Sequence, residues 1–225
     1  MALMARETGG GGFDPVPEGV HHAVCYGVYD LGTHINEMFG KAERKVLVCW
    51  EIPEERIELK GKDGKVRNLP RCVSKKYTLS LGKKATLRKD LESWRNKAFT
   101  PDELGGFDLE KLLRVNCMIQ IVHQAKDERT YANVNAVMPL YKGVAKKEPE
   151  NAVKFFSFED EDGGDIPEDT PDWIVKLIQD SSEWARRFKK PSGGNGQADG
   201  VPDMPDFMKD GKSGAMPPAE DDVPF

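Results

Sequence analysis

The residues able to do chemistry are concentrated in one stretch. Between Lys60 and Lys97 stand 13 basic and 3 acidic residues, a net of +10 in a chain whose total charge is −5. Such a patch is a directed field that draws a polyanion. Tyrosines stand on either side of it. Tyr29 and Tyr131 alternate with the apolar residues of their segments, so both are expected on the face turned away from the core. Cations that replace phosphate counterions, together with aromatic rings on which unpaired bases stack, are what a single-stranded nucleic acid requires of a protein. The candidate DNA contacts are Tyr29, Lys60, Lys62, Lys65, Arg67, Arg71, Lys76, Arg129 and Tyr131. Trp50, Tyr77 and Trp94 fall on apolar faces and are expected in the core.

Other chemistries find no footing. The chain has no GxxxxGK[ST], GxSxG or HExxH pattern. Its "GGGGF" (9–13) follows no strand and opens no helix, so it reads as a linker rather than a dinucleotide loop. His21 and His22 are neighbours on a strand and point to opposite faces. Cys25, Cys49, Cys72 and Cys117 lie far apart in strand-like runs, which suits buried thiols in a reducing compartment better than a zinc site. No catalytic residue, metal or cofactor is expected. No apolar run approaches 18 residues and the first residues lack the apolar stretch of a signal peptide, so a cytoplasmic protein without a membrane span is expected.

The elements that must position these residues follow from periodicity. Alternating apolar residues mark strands over 20–31, 45–52, 72–81, 115–124 and 130–140. In the first, Val20, His22, Val24, Tyr26 and Val28 share a face, and Gly27 suggests a bulge or a bend. In the second, Val46, Val48, Trp50 and Ile52 do so. The segment between the second and third strands reads as a polar excursion turning at Asp63-Gly64. After the third strand the period changes. Leu87, Leu91, Trp94 and Ala98 are spaced as a helical stripe with Thr86 as cap, and Asp108 caps a second short helical turn.

Three strands, a helical segment and two strands predict a mainly β protein over 14–141: a five-stranded OB-fold Greek-key barrel with the helical segment between strands 3 and 4. Residues 1–13 read as a flexible arm and 142–170 as an acidic linker. In that linker "VKFFSF" (153–158) is an apolar run able to dock on the barrel or on a partner. An amphipathic C-terminal helix is expected over 171–190, with Thr170 as N-cap and Pro171 at its first position. A disordered acidic tail completes the chain over 191–225.

The last residues, "DDVPF" (221–225), are similar to the acidic Ile/Val-Pro-Phe tip of bacterial single-stranded DNA-binding proteins. The barrel, linker and acidic tail together resemble those proteins and their phage counterparts. The long insertions and the "PDWIVKLIQDSSEW" helix (171–184) look more like a phage-encoded version. The resemblance implies sequence-tolerant coating of single-stranded DNA in replication, recombination and repair. It also implies recruitment of replication and repair enzymes through the tip: Pro224 and Phe225 as anchor, Val223 beside them, and Glu220, Asp221 and Asp222 as steering charge. A net of −9 over 151–225 further suggests that the tail competes with DNA for the basic patch. The rival readings are an RNA-binding OB-fold module and a protein–protein adaptor, and a homo-oligomer is possible.

Overall fold

Alternation of apolar and polar side chains builds long strands, and most are longer than the sequence pattern marks. The computed structural model describes residues 15–36, 40–60, 64–126, 129–159 and 164–188, all within one unit, Met1–Lys190. The expected arm over 1–13 and tail over 191–225, the tip residues included, lie outside them. The strands are β1 (Gly19–Asn36), β2 (Lys41–Lys60), β3 (Val66–Thr78), β4 (Asn116–Lys126), β5 (Arg129–Pro139) and the short β6 (Lys154–Phe156). The helices are α1 (Thr86–Arg95), α2 (Pro101–Gly105), α3 (Asp172–Gln179) and α4 (Ser182–Phe188), with a 3-10 turn at Leu109–Leu112. The protein is therefore mainly β. Its sheet runs β3-β2-β1-β4-β5 with every pair antiparallel, and β6 joins β1 in parallel.

β1 organises the sheet by bending. Its first residues, Gly19 to Val24, pair with β4, and Val24 to Asn36 pair with β2. Register shifts between Cys25 and Gly27, and between Asp30 and Gly32, mark two bulges that let one strand serve both neighbours. The bulge expected at Gly27 is therefore present, but the simple alternation expected along β1 is not. Ala23, Cys25 and Val28 face the main core, Tyr26 packs on the opposite side, and Val20 is 45% exposed.

The main core lies on one face of the curled sheet. Val46, Val48, Trp50 and Ile52 meet Ile119, Ile121, Val134 and Val137 there. α1 covers it with the expected stripe of Leu87, Leu91 and Trp94. Trp94 stands 5.8 Å from Trp50 and donates from its indole nitrogen to the Asn116 carbonyl, 3.2 Å. Each such side chain contributes about 1.5–3 kcal/mol by leaving water. α1 ends one turn early because Asn96 turns left-handed at φ 50°, so Ala98 is exposed and Phe99 fills the core instead. Its N-cap is Ala85 rather than Thr86. The cap expected at Asp108 is present: its carboxylate accepts from the Glu110 amide, 2.9 Å.

A second core lies on the other face of β1 and β2. Tyr29, Leu31, Leu47 and Cys49 are covered there by Phe156 of β6 and by Ile174 and Ile178 of α3. This corrects the reading of Tyr29 as an exposed base platform, since Tyr29 is 1% exposed. Of the two docking places read for the "VKFFSF" run within 142–170, the run takes the sheet. Burial pushes the Tyr29 hydroxyl up to about 12. The segment leading into β6 is latched by Glu51. This fully buried carboxylate accepts from the Glu150 amide (2.7 Å), the Asn151 amide (2.9 Å) and Asn151 Nδ2 (2.6 Å). The single helix expected over 171–190 is two, broken at Asp180 and Ser181, and Pro171 is the N-cap of α3. The Thr170 hydroxyl instead donates to the Pro167 carbonyl, 2.6 Å. Glu183 ties α4 down by accepting from the Thr33 amide (2.6 Å) and hydroxyl (2.7 Å).

Candidate nucleic-acid interface

β3 and β5 are the two ends of the strand path, and the curl of the sheet brings their outer edges together. At one end they touch. Lys75 Nζ donates to the Asn135 carbonyl (3.3 Å) while its ammonium pairs with Asp90 (2.7 Å). The Tyr77 hydroxyl donates to the same Asp90 oxygen, 2.8 Å, and burial together with the Asp90 charge pushes its pKa far up. At the other end the two strands part. Among the described residues no ladder joins them, and a cleft of about 490 Å³ opens between residues 70–74 of β3 and 130–132 of β5.

Two of the expected contacts meet in this cleft. Arg71 lines the β3 side and Tyr131 the β5 side. Arg71 Nε donates to the Arg56 carbonyl, 3.3 Å, which fixes the stem of the guanidinium. Tyr131 is 47% exposed, which leaves ring surface for a base. Ile57, Leu59 and Pro70 add an apolar wall. These were hidden in the segment read as a polar excursion. The signal was there in "RIELK" (56–60), where Ile57 and Leu59 alternate with Arg56, Glu58 and Lys60.

The β2–β3 hairpin carries the remaining cations of the set. Lys60 stands opposite Val66 in the ladder and Arg67 opposite Leu59, and Leu59 lines the cleft. Lys60, Lys65 and Arg67 are exposed, and Gly64 takes φ 77° at the turn, as Asp63-Gly64 suggests. The hairpin therefore sets a basic rim beside the cleft. Lys62 lies outside the described residues. Arg129 opens β5 opposite Lys126, two positions before Tyr131. Lys76 is not part of the cleft. It stands opposite Leu47 on the outward face of the sheet and lines a separate groove of about 700 Å³.

The charge of the 60–97 stretch is only partly available to a ligand. Lys75 is paired with Asp90, Arg88 with Glu92, and Arg95 with Glu103. Arg95 also lies over the rings of Phe99 and Phe107. Outside the stretch, Arg44 is paired with the buried Asp30, and Arg56 with Glu150, whose carboxyl it holds below the usual carboxylate range. Among the described residues no helix is long and apolar enough to cross a membrane. No family model, curated protein or solved structure matches the chain.

Proposed function

We propose that this chain is a sequence-tolerant single-stranded DNA-binding protein whose curled sheet is an OB-type barrel. The observation that carries the reading is the β3–β5 cleft, where a guanidinium, an exposed tyrosine ring and an apolar wall meet beside a basic hairpin. The strand order and the helix between β3 and β4 support the barrel assignment. Tyr131 stacks on a base, a contact worth about 1–3 kcal/mol. Arg71 and the hairpin cations take phosphates. Stacking and phosphate contacts read no base edge, so binding through them is sequence-tolerant. The protein coats exposed strands during phage or bacterial replication, recombination and repair, and its acidic Pro-Phe end recruits partner enzymes.

Binding is tested by fluorescence anisotropy of a labelled 30-mer oligo(dT) over a salt series. None of the four tryptophans lines the cleft, so intrinsic emission is a poor reporter. Saturable binding that weakens as salt rises is expected. With at least four phosphates neutralised, log K falls against log salt with a slope of about −3 or steeper. Absence of binding at low salt overturns the reading. Tighter binding of an RNA of the same length moves it to the RNA-binding alternative.

A further inference from the structure

The outward face of the sheet carries a second cationic surface. The groove beside Lys76 is lined also by Lys45, Lys83 and Lys84, with the hydroxyls of Thr78 and Ser80 between them. Lys45 is engaged by Glu43 and donates to Thr78 Oγ1, 2.8 Å. Lys76, Lys83 and Lys84 are exposed, and among the described residues they form no ion pair. The first turn of α1, which follows Lys84 and Ala85, carries no carboxylate. Asp90, further along that helix, is held by Lys75 and Tyr77. Three ammonium groups thus repel one another across a groove with little to neutralise them, and a polyanion relieves that repulsion.

The groove has no stacking surface. Its one aromatic residue, Tyr77, is 4% exposed. It therefore suits a sugar–phosphate backbone and is blind to bases. Lys76 follows Arg71 by five positions on β3, about 16 Å at ~3.3 Å per residue. That is about five nucleotides of stacked strand at ~3.4 Å each.

We propose that single-stranded DNA leaving the β3–β5 cleft crosses the edge of β3 and lays its phosphates in this groove, against Lys76, Lys83 and Lys84. The inference rests on the cleft being the DNA site. It makes the footprint two-part: a short segment that stacks, then a segment held by charge alone.

The test compares labelled oligo(dT) of 5 and 20 nucleotides on the full chain. The groove variant carries Lys76→Ala, Lys83→Ala and Lys84→Ala, and Tyr131→Ala is the cleft variant. The groove variant is expected to bind the 20-mer at least ~10-fold more weakly at low salt, with the salt slope shallower by ~2 units for three phosphates lost. Its affinity for the 5-mer stays as in the wild type, whereas Tyr131→Ala weakens both. All three lysines are exposed, so an unchanged melting temperature is expected and certifies the fold. A groove variant that binds the 20-mer with wild-type affinity and slope overturns this inference and leaves the cleft reading standing. A wild-type chain that binds neither oligonucleotide overturns both.

Discussion

Glu51→Gln tests the latch that holds the segment after β5 onto the sheet. The carboxylate has no exposure to water and accepts three hydrogen bonds. Oε1 takes the Glu150 amide and Oε2 takes both nitrogens of Asn151. A glutamine keeps the shape but replaces one oxygen with an NH2 group. In the better of its two orientations it retains the Asn151 bonds and faces the Glu150 amide, donor against donor. The buried side-chain NH2 then has no acceptor and the Glu150 amide loses its bond, which costs about 1–3 kcal/mol. For a chain of this size that lowers the melting temperature by about 2–12 °C. Thermal unfolding followed by far-UV circular dichroism measures the shift, and amide exchange localises it. Faster exchange is expected at Glu150, Asn151 and the β6 amides, with the α1 amides unchanged. A melting temperature within ~1 °C of wild type, with full protection at Glu150 and Asn151, would refute the argument.

Tyr131→Ala should weaken oligo(dT) binding by about 5- to 150-fold, the loss of one stacked base, while Tyr131→Phe stays near wild type; anisotropy titration decides. Gly32→Ala should destabilise the fold by about 2–5 kcal/mol, read from the urea midpoint. Gly32 sits at φ 71° and a Cβ there would lie 2.5 Å from Ser181 Cβ, so left-handed strain and overpacking add. Stability should also fall with acid. Burial pulls the Glu183 carboxyl up, but the two bonds from Thr33, its own amide and the Arg186 charge together leave the pKa lowered, and Glu150 is lowered by Arg56. Carboxyls lowered on folding stabilise the protein above their unfolded value of about 4.3, and that contribution is lost as pH falls through the folded values. Melting temperatures between pH 6 and pH 3 should therefore drop, and Glu183→Gln should remove part of the drop.

Much of the main core was legible because it rests on local periodicity. Val46, Val48, Trp50 and Ile52 repeat every second residue, and Leu87, Leu91 and Trp94 follow the helical repeat; all are buried as read. The second core was not legible from one strand at a time. Tyr29 is opposite Val28 in the pleat, and that alone made it look exposed. The missing constraint was that the other face of β2 also carries apolar residues, Leu47 and Cys49, which need a cover. The cover is supplied more than 100 residues later by Phe156 and by the apolar side of α3. A helix with Ile174 and Ile178 on one side needs a partner, so pairing the two unsatisfied faces would have placed both. The cleft was half legible. Arg71 and Tyr131 were singled out by residue type, but only the curl of the sheet brings positions 60 residues apart to one opening. Lys76 was grouped with Arg71 by residue type, but the odd spacing of the two along β3 sends them to different grooves.

Photo-crosslinking locates the bound strand most directly. Oligo(dT) substituted with 5-bromodeoxyuridine is bound to the full chain at low salt, irradiated, and the labelled peptide sequenced. The account predicts attachment at Tyr131, abolished in Tyr131→Ala although that variant still folds. Efficient attachment confined to residues outside both the cleft and the β2–β3 hairpin would contradict it.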